Sequence, residues 1–316
     1  MIMKKLLVVA GPTASGKTSL SIELAKLYNG EIVSADSMQI YKGMNIATAK
    51  PSDIEMSGIK HYLIDFLEPN ESYSVGKYVE DASKAVDKII EKNKLPIICG
   101  GTGLYIDSFL NGIDFVDNSA NLELRAELNK IAEEKGIDCL LKMLLEIDPY
   151  SYMRLHEQRN QKRIVRAIEF YKTTGMTITE QNEKSRENES EYEYLIFGLK
   201  ASDRQFLYDR INKRVDIMIE NGLVEEAREI LSSDLSETAS KAIGYKQLKP
   251  YIDGEASLEE CIEKLKTETR HYAKRQLTWF KRNKDIFWIN IDELTTTGQQ
   301  VDYIKGIIEN KGFING

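Results

Sequence analysis

The 316 residues carry 43 Lys and Arg against 50 Asp and Glu, a formal net charge of −7, with 42% hydrophobic and 29% charged residues. That length allows one large or two ordinary domains with a substantial core, and the acidic balance argues against indiscriminate nucleic-acid binding, so an RNA partner needs local basic patches. Cys99, Cys139 and Cys261 are far apart and the three histidines scattered, which disfavours a disulfide framework or structural zinc; no apolar run reaches bilayer length, and the chain reads as cytoplasmic and without a membrane partner.

In chain order, residues 5–10 read as a buried strand that runs into G-P-T-A-S-G-K-T at 11–18, with a helix following to about residue 28. The spacing G-x-x-x-x-G-K-[ST] between strand and helix makes a phosphate cradle. Glycines let the backbone approach phosphate oxygens, the helix N-terminus adds partial positive charge, Lys17 adds a full one, and the Thr18 hydroxyl suits Mg²⁺. A second strand at 31–35 delivers Asp36. Three roles stay open for it: Mg²⁺ ligand of a nucleotide hydrolase, general base or acceptor beside the phosphates with Ser37 and Gln39 offering base-edge contacts, or turn cap.

A strand at 61–66, a helix at 75–91 and a strand at 95–99 come next, the last opening into Gly100-Gly101-Thr102-Gly103. Strands alternating with helices predict an α/β fold, a P-loop-type parallel sheet core with helices on both faces. Ligands of such sheets bind at the carboxyl ends of the strands, where the phosphate loop, Asp36 and the glycine-rich turn all fall.

From 121 to 179 the pattern is helical without a strand candidate, and 180–193 is polar and acidic, which reads as a linker. A strand at 194–199, helices at 204–221 and 258–284, and an edge strand at 287–289 complete the chain. The expected organisation is a core of 1–115 with 190–316, and an all-helical insertion at 116–189. Arg159, Lys162, Arg163 and Arg166 form a basic stripe within the insertion. Tyr208, Arg210 and Arg214 make another group, and the helix through Arg270–Arg282 splits into a basic and an apolar face with Gln276 among the apolar residues. A buried amide must find partners or incur about 1 to 3 kcal/mol of desolvation cost. Three basic stripes in an acidic protein suggest an anionic partner larger than one diphosphate.

Together the phosphate loop, D-S-M-Q-I-Y at 36–41, G-G-T-G-L-Y at 100–105, L-Y-D-R-I-N-K-R-V-D at 207–216, A-I-G-Y-K-Q-L at 242–248 and R-H-Y-A-K-R-Q-L-T-W-F at 270–280 resemble the tRNA dimethylallyltransferase (tRNA isopentenyltransferase) family, over nearly the whole chain and in order. The resemblance implies transfer of a dimethylallyl group from dimethylallyl diphosphate to N6 of the adenosine immediately 3′ of the anticodon, with Mg²⁺ as cofactor and a monomer acting on the tRNA anticodon stem-loop. It implies that Gly11, Thr13, Ala14, Ser15, Gly16, Lys17 and Thr18 hold the diphosphate, that Thr18 holds the metal, and that Asp36, Lys17, Thr18, Arg210 and Thr102 are catalytic. For tRNA it implies Asp36, Ser37, Met38, Gln39, Thr102, Arg125, Lys162, Arg163, Arg166, Lys274, Gln276 and Arg282. The segment 156–163 lacks the proline of the family's usual turn and looks a residue longer, and no Cys/His cluster follows as in eukaryotic relatives, which suggests the bacterial type. The rival readings are an adenylate isopentenyltransferase acting on free nucleotide, a P-loop small-molecule kinase using the loop for ATP, and a P-loop RNA-binding switch.

Overall fold

The computed structural model describes residues 3–112, 121–187 and 191–314. In chain order the elements are β1 (Lys4–Ala10), α1 (Lys17–Leu27), β2 (Gly30–Ser34), α2 (Asp53–Met56), β3 (His61–Tyr62), α3 (Val75–Ile90), β4 (Leu95–Gly100) and α4 (Gly103–Leu110). Five helices follow, α5 (Leu122–Lys135), α6 (Ile137–Ile147), α7 (Pro149–Leu155), α8 (Gln161–Thr174) and α9 (Ile178–Glu187). The chain then returns through β5 (Tyr192–Lys200), α10 (Arg204–Glu220), α11 (Leu223–Leu231), α12 (Tyr245–Ile252), α13 (Leu258–Phe280), β6 (Ile286–Asn290) and α14 (Thr297–Lys311).

The chain divides into two compact units, Met1–Phe109 with Glu191–Gly316, and Leu110–Ser190. The first is built on a six-stranded sheet of order β3-β2-β4-β1-β5-β6, parallel throughout. Its central strands are apolar runs, as a sheet covered on both faces demands. Leu7, Val9, Ile97 and Phe197 pack against Leu20 and Leu24 of α1 and Ile304 and Ile308 of α14. Because every strand runs the same way, the ends of β1, β2 and β4 open on one edge, with β4 lying between β1 and β2.

The second unit is all-helical. Leu128, Leu140, Leu144, Ile164 and Ile168, spaced for one face of each helix, form its core. Buried Asp148 caps α7 and binds Ser151 and Thr179, joining α7 to α9. No proline is needed between α7 and α8: Arg159 takes a left-handed conformation (φ 46°), and the Asn160 side chain caps α8.

Two expectations are corrected. Residues 178–187 are helical rather than linker, started by a reciprocal Thr177/Glu180 cap in which each side chain accepts from the other's backbone amide. The third strand stops at Tyr62 instead of continuing to residue 66, because Leu63 and Asp65 turn left-handed (φ 58° and 54°).

A buried carboxylate with two partly exposed lysines pins the amino end of β2. Glu31, 4% exposed, accepts from Lys94 (2.9 Å), Lys92 (3.0 Å) and the Tyr62 hydroxyl (2.8 Å). Burial pushes its carboxyl up, but the bonds from Lys94, Tyr62 and Lys92 outweigh this and hold it at about 2 against an ordinary 4.5. A depressed folded pKa contributes stability above pH 4.5 that is lost as pH falls towards 2. Glu31→Gln is expected to cost about 1 to 2 kcal/mol at neutral pH, since the buried side chain loses charge-assisted bonds while the two lysines, themselves over a third exposed, stay solvated. Urea denaturation as a function of pH checks this: the gap between the two proteins should close between pH 4.5 and 2, and a constant gap would contradict the assignment.

Candidate active site at the carboxyl edge of the sheet

The phosphate loop leaves β1 and enters α1 through Gly16, whose φ of 96° is open to glycine at little cost. No side chain caps α1, and no acidic residue occupies its first turn. Its leading N–H groups and the positive end of its dipole therefore remain available to an anion. Ala14 is also left-handed (φ 62°), which curls the loop. Its closure is internal: Ser15 Oγ (2.8 Å) and Lys17 Nζ (2.7 Å) both donate to the Pro12 carbonyl. Lys17 is half-buried, and burial lowers its ammonium to about 8 from 10.5, with Arg214 adding to the effect while Cys99 and Asp36 oppose it.

Arg210 and Arg214, one turn apart on α10, play different parts. Arg210 Nε donates to the Ala14 carbonyl at 2.8 Å, bracing the loop from outside. Arg214 is half-buried and makes no hydrogen bond or ion pair among the described residues. Burial lowers its pKa, while Asp36 and Glu55 favour its charge. A partly desolvated guanidinium with its donors unspent suits an incoming anion.

Asp36 follows β2. Its Oδ1 accepts from Met38 N (2.9 Å) and Gln39 N (3.3 Å), while Oδ2 has no hydrogen-bond donor among the described residues. One oxygen thus fixes the turn and the other is unspent, so cap and acceptor are compatible roles. Thr102, after β4, accepts from Ser37 N at 3.0 Å and joins the Asp36 turn to the glycine-rich turn. Burial raises the hydroxyl pKa of Tyr272 on α13.

Two side chains expected to contact tRNA do other work. Gln276 is 6% exposed: its Oε1 accepts from Thr13 N (2.8 Å) and its Nε2 donates to Gly101 O (3.0 Å), clasping the phosphate loop to the glycine-rich turn. Gly101 is required there, because a Cβ would lie 2.2 Å from that Nε2. Gln39 spends its side-chain Nε2 on Thr48 O (3.2 Å) and Ala49 O (3.1 Å), which ties its own loop together and leaves a base edge little to bind. Gln276 is thus a buried clasp between two loops and Gln39 a half-buried clasp within its own.

The other candidates lie on the surface. Lys274 on α13 and Arg282 in the turn after it are exposed, and the Arg282 guanidinium sits 4.9 Å from the Trp279 ring, whose Nε1 donates to Asp107 at 2.6 Å. Within the helical unit, Arg163 and Arg166 border a cavity of about 270 Å³ together with Arg154, Ser151 and Gln158, and Lys162 is exposed on the same helix. Arg125 is engaged there through Nε by buried Glu169 (2.8 Å), which also receives Asn121 N, so the pair anchors the start of α5. Sequence reading missed Arg154, which lies outside the basic stripe, placed Arg214 only in a basic group facing an anionic partner, and left Tyr272 without a role although it stood inside a recognised motif.

A strand–loop–helix cradle at the end of β1, with Arg210 bonded to it and a carboxylate at the same edge of a parallel sheet, has the chemistry to hold a diphosphate or triphosphate. Residues 39–283 match the family model described as IPP transferase. A tRNA dimethylallyltransferase of Acetivibrio thermocellus is 48% identical over 305 residues, covering 96% of this chain and 97% of the relative, and one of Bacillus cytotoxicus is 47% identical over 309 residues. Among solved structures, a tRNA isopentenylpyrophosphate transferase of Bacillus halodurans matches with a TM-score of 0.70 at 38% identity, covering 98% of both chains. A eukaryotic dimethylallyltransferase acting on tRNA matches with a TM-score of 0.80 at 28% identity, covering 97% of this chain and 79% of the other. The chain belongs to the IPP transferase family.

Proposed function

We propose that the protein transfers a dimethylallyl group from dimethylallyl diphosphate to N6 of the adenosine immediately 3′ of the anticodon in tRNA and releases diphosphate. The observation that carries this reading is the placement, at the same edge of the sheet on the ends of β1 and β2 with only β4 between them, of a diphosphate cradle and an aspartate with one unspent oxygen. In the reaction the allylic C–O bond breaks, its electron pair leaves with the diphosphate, the N6–C bond forms, and N6 loses a proton. The α1 N-terminus and Lys17 stabilise the growing negative charge, with Arg214 as a further cation and Arg210 bracing the loop. Asp36 accepts the N6 proton through Oδ2 and orients a nucleophile that is barely basic, so placement matters as much as proton removal. Extruding the adenosine costs a few kcal/mol, which the exposed cations of α13 and the helical unit offset by holding the RNA backbone.

Among the described residues there is no cluster of three metal-ligating side chains, and Mg²⁺ ordinarily takes only one or two protein oxygens while keeping waters and phosphate oxygens. The Thr18 hydroxyl would hold it, and the bound ion would neutralise diphosphate charge. No helix among the described residues is long and apolar enough to cross a membrane. We place the enzyme in the cytoplasm, working as a monomer on the anticodon stem-loop.

The test is to incubate the protein with unmodified tRNA, dimethylallyl diphosphate and Mg²⁺ and to analyse the nucleosides by mass spectrometry. Prenylated adenosine from tRNA is the expected product. Prenylated AMP from free nucleotide, or radiolabelled γ-phosphate moving from ATP to an acceptor, would replace this reading with one of its rivals.

A further inference from the structure

The loop after Asp36 is held at its far end by a single carboxylate. Glu226 lies early in α11 and is 9% exposed. Its Oε2 accepts from Asn45 N (2.9 Å) and Ile46 N (2.7 Å), and its Oε1 accepts from Ala47 N (2.9 Å) and the Tyr245 hydroxyl (2.9 Å). Consecutive backbone amides that elsewhere bind a free anion are here occupied by one fixed side chain. Charge-assisted bonds of this kind are about twice as strong as neutral ones. No Lys or Arg pairs with this carboxylate among the described residues, so its charge is balanced by backbone amides and the Tyr245 hydroxyl.

The hydrogen bonds continue to the reacting end of the loop. Lys50 N donates to Asn45 O at 2.9 Å, Gln39 Nε2 donates to Thr48 O and Ala49 O, and Gln39 N donates to Asp36 Oδ1. Glu226 and Asp36 are therefore the two ends of one connected network. The A-I-G-Y-K-Q-L motif, which the proposed chemistry does not use, gains a purpose here. Tyr245 is the fourth donor to Glu226, and Gly244, at φ 120°, lets the start of α12 pack against Ala47, where a Cβ would come within 3.1 Å.

We propose that Glu226, assisted by Tyr245, is a positioning residue for the acceptor half of the reaction: it fixes the 38–50 loop and through it the angle at which Asp36 meets N6. The inference rests on the prenyl-transfer reading. The donor half, built on β1 and α1, is braced by Arg210 and Gln276, neither of which bonds to Glu226 or to the 38–50 loop. The two halves should therefore separate kinetically.

Glu226→Gln keeps the shape but sets an amide N–H₂ against backbone donors. It is expected to lower kcat at saturating tRNA about 30- to 100-fold, the scale of a misplacement near 1 Å, while KM for dimethylallyl diphosphate stays within about twofold of wild type. Tyr245→Phe removes one of the four donors and serves if the first variant folds poorly. It should lower kcat about three- to tenfold, the scale of one ordinary net hydrogen bond because three of the four donors remain, with the same unchanged donor KM. Unchanged kcat in both variants overturns the inference, and so does a donor KM that rises in step with the loss of kcat, which marks mere support of the fold. Absence of prenylated tRNA with the wild-type enzyme would instead overturn the reading beneath it.

Discussion

Asp36→Asn is expected to slow prenyl transfer by about 10²- to 10⁴-fold, the usual range for loss of a positioned proton acceptor, while tRNA affinity changes little. The substitution separates the two jobs of this side chain. An asparagine oxygen still accepts from Met38 N and Gln39 N, so the turn that presents Ser37 and Gln39 persists. Only the charge, and the basicity of the unspent oxygen, is removed. Single-turnover rates with tRNA and donor in excess isolate the chemical step, and filter binding reports tRNA affinity. A rate within threefold of wild type would remove Asp36 from proton transfer and leave it as a turn cap. Asp36→Ala, which also destroys the turn, should be worse in both rate and tRNA KM, and the gap between the two variants measures what the turn contributes.

What could be read from the sequence is what is local. The phosphate loop, the strand before it and the helix after it are contiguous, so residue spacing alone specified a cradle. The same holds for the parallel sheet: buried strands are apolar runs of fixed length, and the helical unit shows its core at helical spacing. Residues that act across the fold were harder to place. Gln276 was conspicuous as an amide on an apolar face, yet its partners, Thr13 N and Gly101 O, lie 263 and 175 residues away, so its clasp between two loops could not be inferred. Glu226 is another glutamate in an amphipathic helix until the fold brings residues 45–47 against it. Lys17 shows the reverse limit. Its presence was obvious, but its charge state depends on burial that only the folded chain defines.

That charge state predicts the alkaline behaviour of the donor site. In the free enzyme the Lys17 ammonium sits at about 8, lowered chiefly by burial. A bound diphosphate favours the charged form and raises it again. Above pH 8 the donor must therefore bind together with a proton. We expect kcat/KM for dimethylallyl diphosphate to fall by about tenfold per pH unit on the alkaline side, since that ratio reports titrations of the free enzyme. Lys17→Met should lower kcat/KM by about 10²- to 10³-fold at neutral pH, as removal of one preorganised electrostatic contact does, and should erase the alkaline limb. The sign for stability is opposite. A lysine whose folded value of about 8 lies below its ordinary 10.5 destabilises the fold at lower pH, and the penalty fades as pH rises from 8 towards 10.5. The methionine variant should thus melt higher than wild type at pH 7, with the difference shrinking towards pH 10.5. An alkaline limb that survives in Lys17→Met would assign the titration to another group. A variant that melts lower at pH 7 would show that the ammonium, bonded to the Pro12 carbonyl, supports the loop more than burial penalises it.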